Sequence, residues 1–519
     1  MNSATPGFSK LAFSISALLA CLSTASTHAG IFASGDYNPS PYGSWTTSTN
    51  IIIGQSGNGS LNVSNSSVLS IASANIGRDL SATGTVTLSS GGTLNSSGTF
   101  NVGNVGIGTL NVQSASELYT TFSFIAANSS GPAYASTATI TGNGSLWNNS
   151  NTLYVGGNGN GQLNILSGAT VTVGTSGASG DLKIADQATS TSTVSVNGFN
   201  ATLVVDNGMD VGYRGNGTLE VLNGGSVTTS TTFGTAFIGR YNNSTGQVTV
   251  NGNGSSWVTS SGIAVGNSDN ISGGANGTLT IENNGLVEAK NVHIHETYGT
   301  LNINTGGLLR INGGSLSGIT DLTGLNVEFV GGASGSYTNL TIDNGLNVSD
   351  GSTIAVSGTL GVTGAGVLGG NGQITGNVDN AGTVGPGNSP GILTIDGNYE
   401  QDAAGTLAIE LNGTTPGTEH DQLVITGNAT LDGTLDVSLL FGFDLEEAME
   451  FEIMDIAGTR TGTFDGLNQG AKFGDYDGLQ LQIDYAGGDG NDVVLTVVPE
   501  PTSLVPLALG GLLLIRRRR

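Results

Sequence analysis

The sequence has little charge, few aromatic residues and almost no cysteine or proline. Of 519 residues, 10% are charged and 6% aromatic, ten are proline and one is cysteine. A typical soluble domain carries about 25% charged residues. A lone cysteine cannot form an intramolecular crosslink, so disulfides contribute nothing to the fold. Basic residues are the scarcest charged group. Residues 30–498 hold 8 basic against 37 acidic side chains, a net charge of −29. Nucleic acid is thereby excluded as a partner, because phosphate binding needs clustered Lys and Arg; divalent cations remain compatible.

Glycine is what the chain has in excess, with 86 copies. Gly costs backbone entropy in a helix, and Ser, Thr and Asn compete for its hydrogen bonds, so a helical bundle is excluded. Collagen would need Gly at every third position, and simple disorder would lack the short alternating runs of Val, Ile and Leu found throughout. A β-rich chain punctuated by turns is the expectation.

Both ends differ in composition from the middle. Lys10, the mostly apolar run Leu11 to Leu22 and the small residues ending Thr27-His28-Ala29 read as a secretory signal cut between Ala29 and Gly30. Cys21, following Leu18-Leu19-Ala20, leaves a lipoprotein signal as the alternative. At the other end stand Val498-Pro499-Glu500-Pro501, an apolar segment from Leu504 to Ile515, and then Arg516, Arg517, Arg518 and Arg519. Twelve helical residues span roughly 18 Å, short of a hydrocarbon core of roughly 30 Å. Such a segment suits a transient membrane stop, with the arginines on the cytoplasmic side.

Between the ends lies a repeat. An aliphatic residue and Gly are followed, eight residues after the aliphatic, by a Leu opening Leu-x-Val or Leu-x-Ile: Ile53-Gly54 with Leu61, Val102-Gly103 with Leu110, Val155-Gly156 with Leu163, and Val211-Gly212 with Leu219. In a fifth copy, Val265-Gly266, the Leu is displaced to Leu279; the aliphatic position recurs at spacings of 49, 53, 56 and 54. A second half-motif interleaves: Ile76-Gly77 to Val86, Ile184 to Val194, and Ile238-Gly239 to Val248. The stretches Thr139 to Trp147 and Thr249 to Trp257 are nearly the same sequence. The long repeat thus holds two turns of about half its length. Alternation places Val, Ile and Leu on one face of each short strand, which buries that face only by stacking on its neighbours. The predicted fold is all-β: a right-handed parallel β-helix followed by a C-terminal β-rich capping domain, with ten or so coils over a rod on the order of 50 Å. Domain limits follow as a signal peptide over 1–29, an N-terminal cap over 30–50, β-helix repeats over 51–316, further coils over 317–394, an acidic distal domain over 395–497 and the tail over 498–519. Twenty of the 37 acids lie between Asp396 and Asp492 and set the boundary near residue 394.

Two resemblances bear on these features. The order of Pro-Glu-Pro, apolar segment and Arg cluster resembles the PEP-CTERM sorting signal, which implies export in a Gram-negative bacterium and processing by an exosortase. The repeats over roughly residues 50 to 310 resemble autotransporter passenger β-helices. Gly385 to Ile395 and His420 to Gly427 look like the distal end of such passengers. No room for a membrane β-barrel follows Val498, so self-export through a pore of its own is not expected.

Candidate sites are sparse. Asp206 and Asp210 are close in sequence, but Asp206-Asn207-Gly208 reads as a turn rather than a catalytic pair. His293 and His295 have the spacing of two ligands on one strand face, and a solvated face opposite Val292 and Ile294 is the simpler reading. Gly487 to Leu495 matches the calcium-binding nonapeptide of β-rolls. A single copy supplies only part of the six to eight oxygens that Ca²⁺ takes, so Asp489 and Asp492 are weak metal candidates in a turn. No cofactor and no catalytic residue are expected. The expectation is a non-enzymatic, secreted or cell-surface structural protein with transient inner-membrane contact through its tail, associated with exopolysaccharide or biofilm matrix. An adhesin binding cells or glycans and a β-helical polysaccharide lyase or hydrolase are the alternatives.

Overall fold

The computed structural model describes residues 30–128, 135–175, 180–230, 234–241, 243–266 and 274–500. Apart from one 3-10 turn at Tyr42–Ser44, no helix occurs among the described residues. Three short strands per coil, separated by sharp corners, build a parallel β-solenoid.

On the first face ten strands stack in parallel, from Asn58–Val63 to Gly299–Ile303. The repeat residues fall into register as one inward column: Leu61 pairs with Val86, Val86 with Leu110, Leu163 with Val194, Leu219 with Val248 and Val248 with Leu279. Each step along this column is one coil, the shortest running from Leu279 to Leu301 and the longest from Leu163 to Val194 and from Val248 to Leu279. Each aliphatic member from Leu61 to Leu279 is buried, and full burial of such a side chain is worth about 1.5–3 kcal/mol. On the second face Leu118, Trp147 and Val171 form one run of a column, and Val227, Trp257 and Val287 another. The two nearly identical stretches therefore occupy the same place in their coils. Both indoles are fully buried, and each donates its N–H to a threonine hydroxyl one coil earlier, Trp147 to Thr120 at 2.9 Å and Trp257 to Thr229 at 3.3 Å.

The aliphatic residue before Gly ends the strand on the third face, and the Gly is the corner that starts the next coil. Gly54 and Gly77 have φ of 72° and 67°. A Cβ on Gly77 would stand 2.1 Å from the Ile107 carbonyl oxygen of the next coil. Two coils carry Ala in this place, Ala126 and Ala185, at φ of 58° and 59°. That accounts for Ile184, whose half-motif lacks Gly.

Both ends of the stack are closed by antiparallel strands, which protects edges that would otherwise recruit another chain. Ile31–Gly35 pairs antiparallel with Asn58–Val63, beside a cluster of Phe32, Tyr37, Tyr42 and Trp45. Beyond residue 305 the coils shorten. The second-face column continues from Val287 through Leu309, Val327, Leu346, Leu368, Val384, Leu407 and Leu435. Its step is tightest from Leu368 to Val384 and widens again from Leu407 to Leu435. The change of composition near residue 394 coincides with no break in stacking, for Ile392–Asp396 pairs in parallel with the strands on either side. Parallel pairing runs on to Arg460–Gly462. The antiparallel cap is smaller than the acidic segment: Lys472–Tyr476, Leu479–Gly487 and Asp492–Pro499, the last also pairing with Glu450–Ile456.

Candidate functional site

The first residues of the expected sorting signal lie at the distal end. Val498 and Pro499 close the last cap strand opposite Gln480 and Leu479, and the Glu500 N–H donates to the Gly478 carbonyl at 2.9 Å. Pro501, Leu504 to Ile515 and Arg516 to Arg519 lie outside the described residues, as does Ala29. Gly30 is buried, and its carbonyl accepts the Ser64 N–H at 2.7 Å.

The carboxylate and imidazole candidates are held in structural roles. Asp206 is exposed at a strand end, whereas Asp210 is 2% exposed and paired with Arg240 at 3.0 Å. Burial pushes the Asp210 carboxyl up to about 6 against the opposing pull of Arg240. His293 points outward and contacts the Ser317 hydroxyl at 3.0 Å. His295 follows Ile294 at the place other coils give to the corner Gly, and its Nδ1 accepts the N–H groups of Thr297 and Tyr298. At the nonapeptide turn Asp492 is 5% exposed; its carboxylate accepts the N–H of Ile456 at 2.7 Å and of Asp489 at 3.1 Å. Glu452 and Asp455 nearby are raised above the usual carboxylate range, first by burial and then by Asp492. Among the described residues no group of three or more His, Cys, Asp or Glu side chains could hold a metal ion.

The two distal passenger-like stretches meet. Asp421 accepts the N–H of Gly391 at 2.8 Å and of Glu410 at 2.9 Å, and burial pushes its carboxyl up to about 6. His420, fully buried, bridges the carbonyls of Gly413 and Glu452. These side chains lock one coil to the next.

A further constellation lies on the third face. Its outward positions form a ladder in register along the rod: Phe124, Tyr154, Lys183, Asp210 and Phe237. Phe124 and Tyr154 are stacked at 4.6 Å. Corner residues Tyr213, Arg214, Arg240 and Tyr241 flank the ladder. Lys183 Nζ stands 4.5 Å from the Tyr213 ring centre, and the Arg214 guanidinium 4.9 Å from the same ring. Arg240 covers Phe237 at 4.2 Å. Burial, and then Tyr241, push the Tyr213 hydroxyl up to about 12. Three of the eight basic residues of segment 30–498 are gathered here.

No family model matches the chain, and neither does any curated protein.

Sequence reasoning missed this cluster. Each rung of the ladder stands a full coil from the next and differs from it in type, so no local motif marks them. The available signal was the coil length: each step along the ladder equals one turn.

Proposed function

We propose that the chain is a secreted, non-enzymatic structural protein of a Gram-negative cell surface or matrix, processed by an exosortase at its C-terminal tail and associated with exopolysaccharide. The observation that carries this reading is the placing of Pro499-Glu500 at the exit of the antiparallel cap, so that the tail leaves from the end of a continuous rod. Supporting it, the outer faces of the coils are largely Asn, Ser and Thr, which offer hydrogen bonds without chemistry, as in the Asn101–Asn75 and Asn128–Asn104 rungs, both 2.7 Å. The buried carboxylates Asp210, Asp421 and Asp492 are bound to Arg240 or to backbone N–H groups and are not poised toward a substrate. Fractionating cells that express the chain with and without residues 499–501 tests the sorting: retention of the altered form with membranes is expected, and identical distribution of the two forms refutes it.

A further inference from the structure

We propose that the ladder around Lys183, Tyr213 and Arg214 is a binding strip for a linear acidic polysaccharide lying along the rod axis. It deepens the reading given above, on which its biological setting rests.

Charge is the first argument. In a segment with net charge −29, three cations gather over the Tyr213 ring, Lys183, Arg214 and, at 5.7 Å, Arg240. Arg240 is paired with Asp210, and Lys183 and Arg214 are in no ion pair among the described residues. Lys183 and Arg214 are held over Tyr213, with Tyr154 at 5.6 Å and Tyr241 at 5.5 Å as second rings. A cation held over a ring face keeps N–H donors for an incoming anion. The neighbouring carboxylates Asp181, Asp186 and Asp210 keep their charge, and Asp210 attracts Lys183, but each has a hydrogen-bond partner of its own. Asp210 is paired with Arg240, Asp181 accepts Asn207 Nδ2 and the Gly208 N–H, and Asp186 accepts Gln187 Nε2 at 2.6 Å.

Shape is the second argument. Phe124 to Phe237 covers four coil steps, or about 20 Å at the inter-strand spacing. The ladder keeps parallel register, with Phe124, Tyr154, Lys183 and Phe237 half-buried and Asp210 buried, and it continues through buried Ala264 and exposed His293 to Ser317. A shallow depression of about 360 Å³ lies over that continuation, lined by Phe237, Ile263, Ala264, His293 and Ser317. A surface of this form suits a polymer with repeated carboxylates better than a small molecule. Aromatic edges would pack on the sugar rings while Lys183 and Arg214 take the acid groups.

The test uses the purified full chain, with polygalacturonate as the acidic probe and dextran as the neutral one. Retardation in polygalacturonate gels is expected, falling as NaCl is raised from about 50 to 200 mM because exposed charges are screened. The double substitution Lys183→Gln, Arg214→Gln should weaken binding roughly tenfold or more. Lys472→Gln, on the cap, should bind as the unaltered chain does, and a melting temperature of the double variant equal to that of the unaltered chain serves as the fold control. Equal retardation by dextran, or binding unchanged in the double variant, overturns the proposal. A concentration-dependent dimer lost in the double variant would assign the strip to the acidic cap of a second copy and overturn it as well. The fractionation experiment is independent. Loss of sorting with intact polygalacturonate binding would sink the proposed function and leave the strip; the reverse pair of results would sink the strip alone.

Discussion

Gly77→Ala isolates the physics of the corner. At φ of 67° an L side chain costs about 1–2 kcal/mol. The added methyl would also meet the Ile107 carbonyl oxygen at 2.1 Å and its carbon at 2.5 Å. Both are main-chain atoms of the neighbouring coil and cannot swing away. Relief requires Ile107 to shift, which weakens its N–H bond to the Ala82 carbonyl, now 2.9 Å. One weakened backbone bond adds about 1 kcal/mol, so the total is about 2–3 kcal/mol. Ala185→Gly is the paired control: that corner already holds a methyl at φ of 59°, and the strain relieved nearly offsets the unfolded-state entropy gained, leaving a change under about 1 kcal/mol. Each coil touches only its neighbours, so the damage should stay local. Hydrogen exchange followed by mass spectrometry should show faster exchange in peptides covering residues 71–88 and 100–112 and none near residue 400. Unchanged protection in those peptides, or Ala185→Gly proving as damaging as Gly77→Ala, would refute the reasoning.

Other outcomes follow from buried groups. Trp257→Phe should cost about 1–2 kcal/mol by leaving the Thr229 hydroxyl without its indole donor, and Trp257→Ala about 3–5 kcal/mol; thermal melts of both variants read the order, and equal costs would contradict it. Asp210 has a folded-state pKa near 6, above its ordinary 3.8, so the folded chain binds more protons between pH 4 and 6. Its contribution is then greatest at low pH and is lost as pH rises through about 6, by on the order of 2–3 kcal/mol. Asp210→Asn should flatten that part of the melting profile, and an unchanged slope would show that the burial is not felt. Asp492→Ala should loosen the cap edge by about 1–3 kcal/mol through the freed N–H groups of Ile456 and Asp489, and millimolar Ca²⁺ should leave the melting temperature of the unaltered chain where it was. A rise of several degrees that Asp492→Ala abolishes would make the turn a metal site.

Legibility in the sequence followed the range of the signal. The Leu61 to Leu279 column could be read because inward positions repeat in both type and spacing, and hydrophobic burial tolerates only Val, Ile, Leu and the occasional Ala there. The place of Trp147 and Trp257 was visible as a repeated string, although its coupling to Thr120 and Thr229 was not, because each threonine belongs to the preceding coil. Further coils over 317–394 were expected, but their shortening was not legible, since the steps are uneven, from the tight Leu368 to Val384 to the wide Leu407 to Leu435. Composition placed a boundary near 394 where stacking has none: most acidic residues beyond it, Asp421 and Asp492 apart, occupy outward positions, and parallel pairing is indifferent to them. The Phe124 to Phe237 ladder was illegible for the opposite reason. Outward positions are free to vary, so nothing but three-dimensional register brings a Phe, a Tyr, a Lys and an Asp together.

The last strand also has a mechanical meaning. Asp492–Pro499 is bonded to Leu479–Gly487 along one side and to Glu450–Ile456 along the other. Tension applied at Glu500 along the strand therefore loads two rows of hydrogen bonds together, in shear, before any coil can peel. A tether leaving from this point puts the load on the most cross-braced end of the rod.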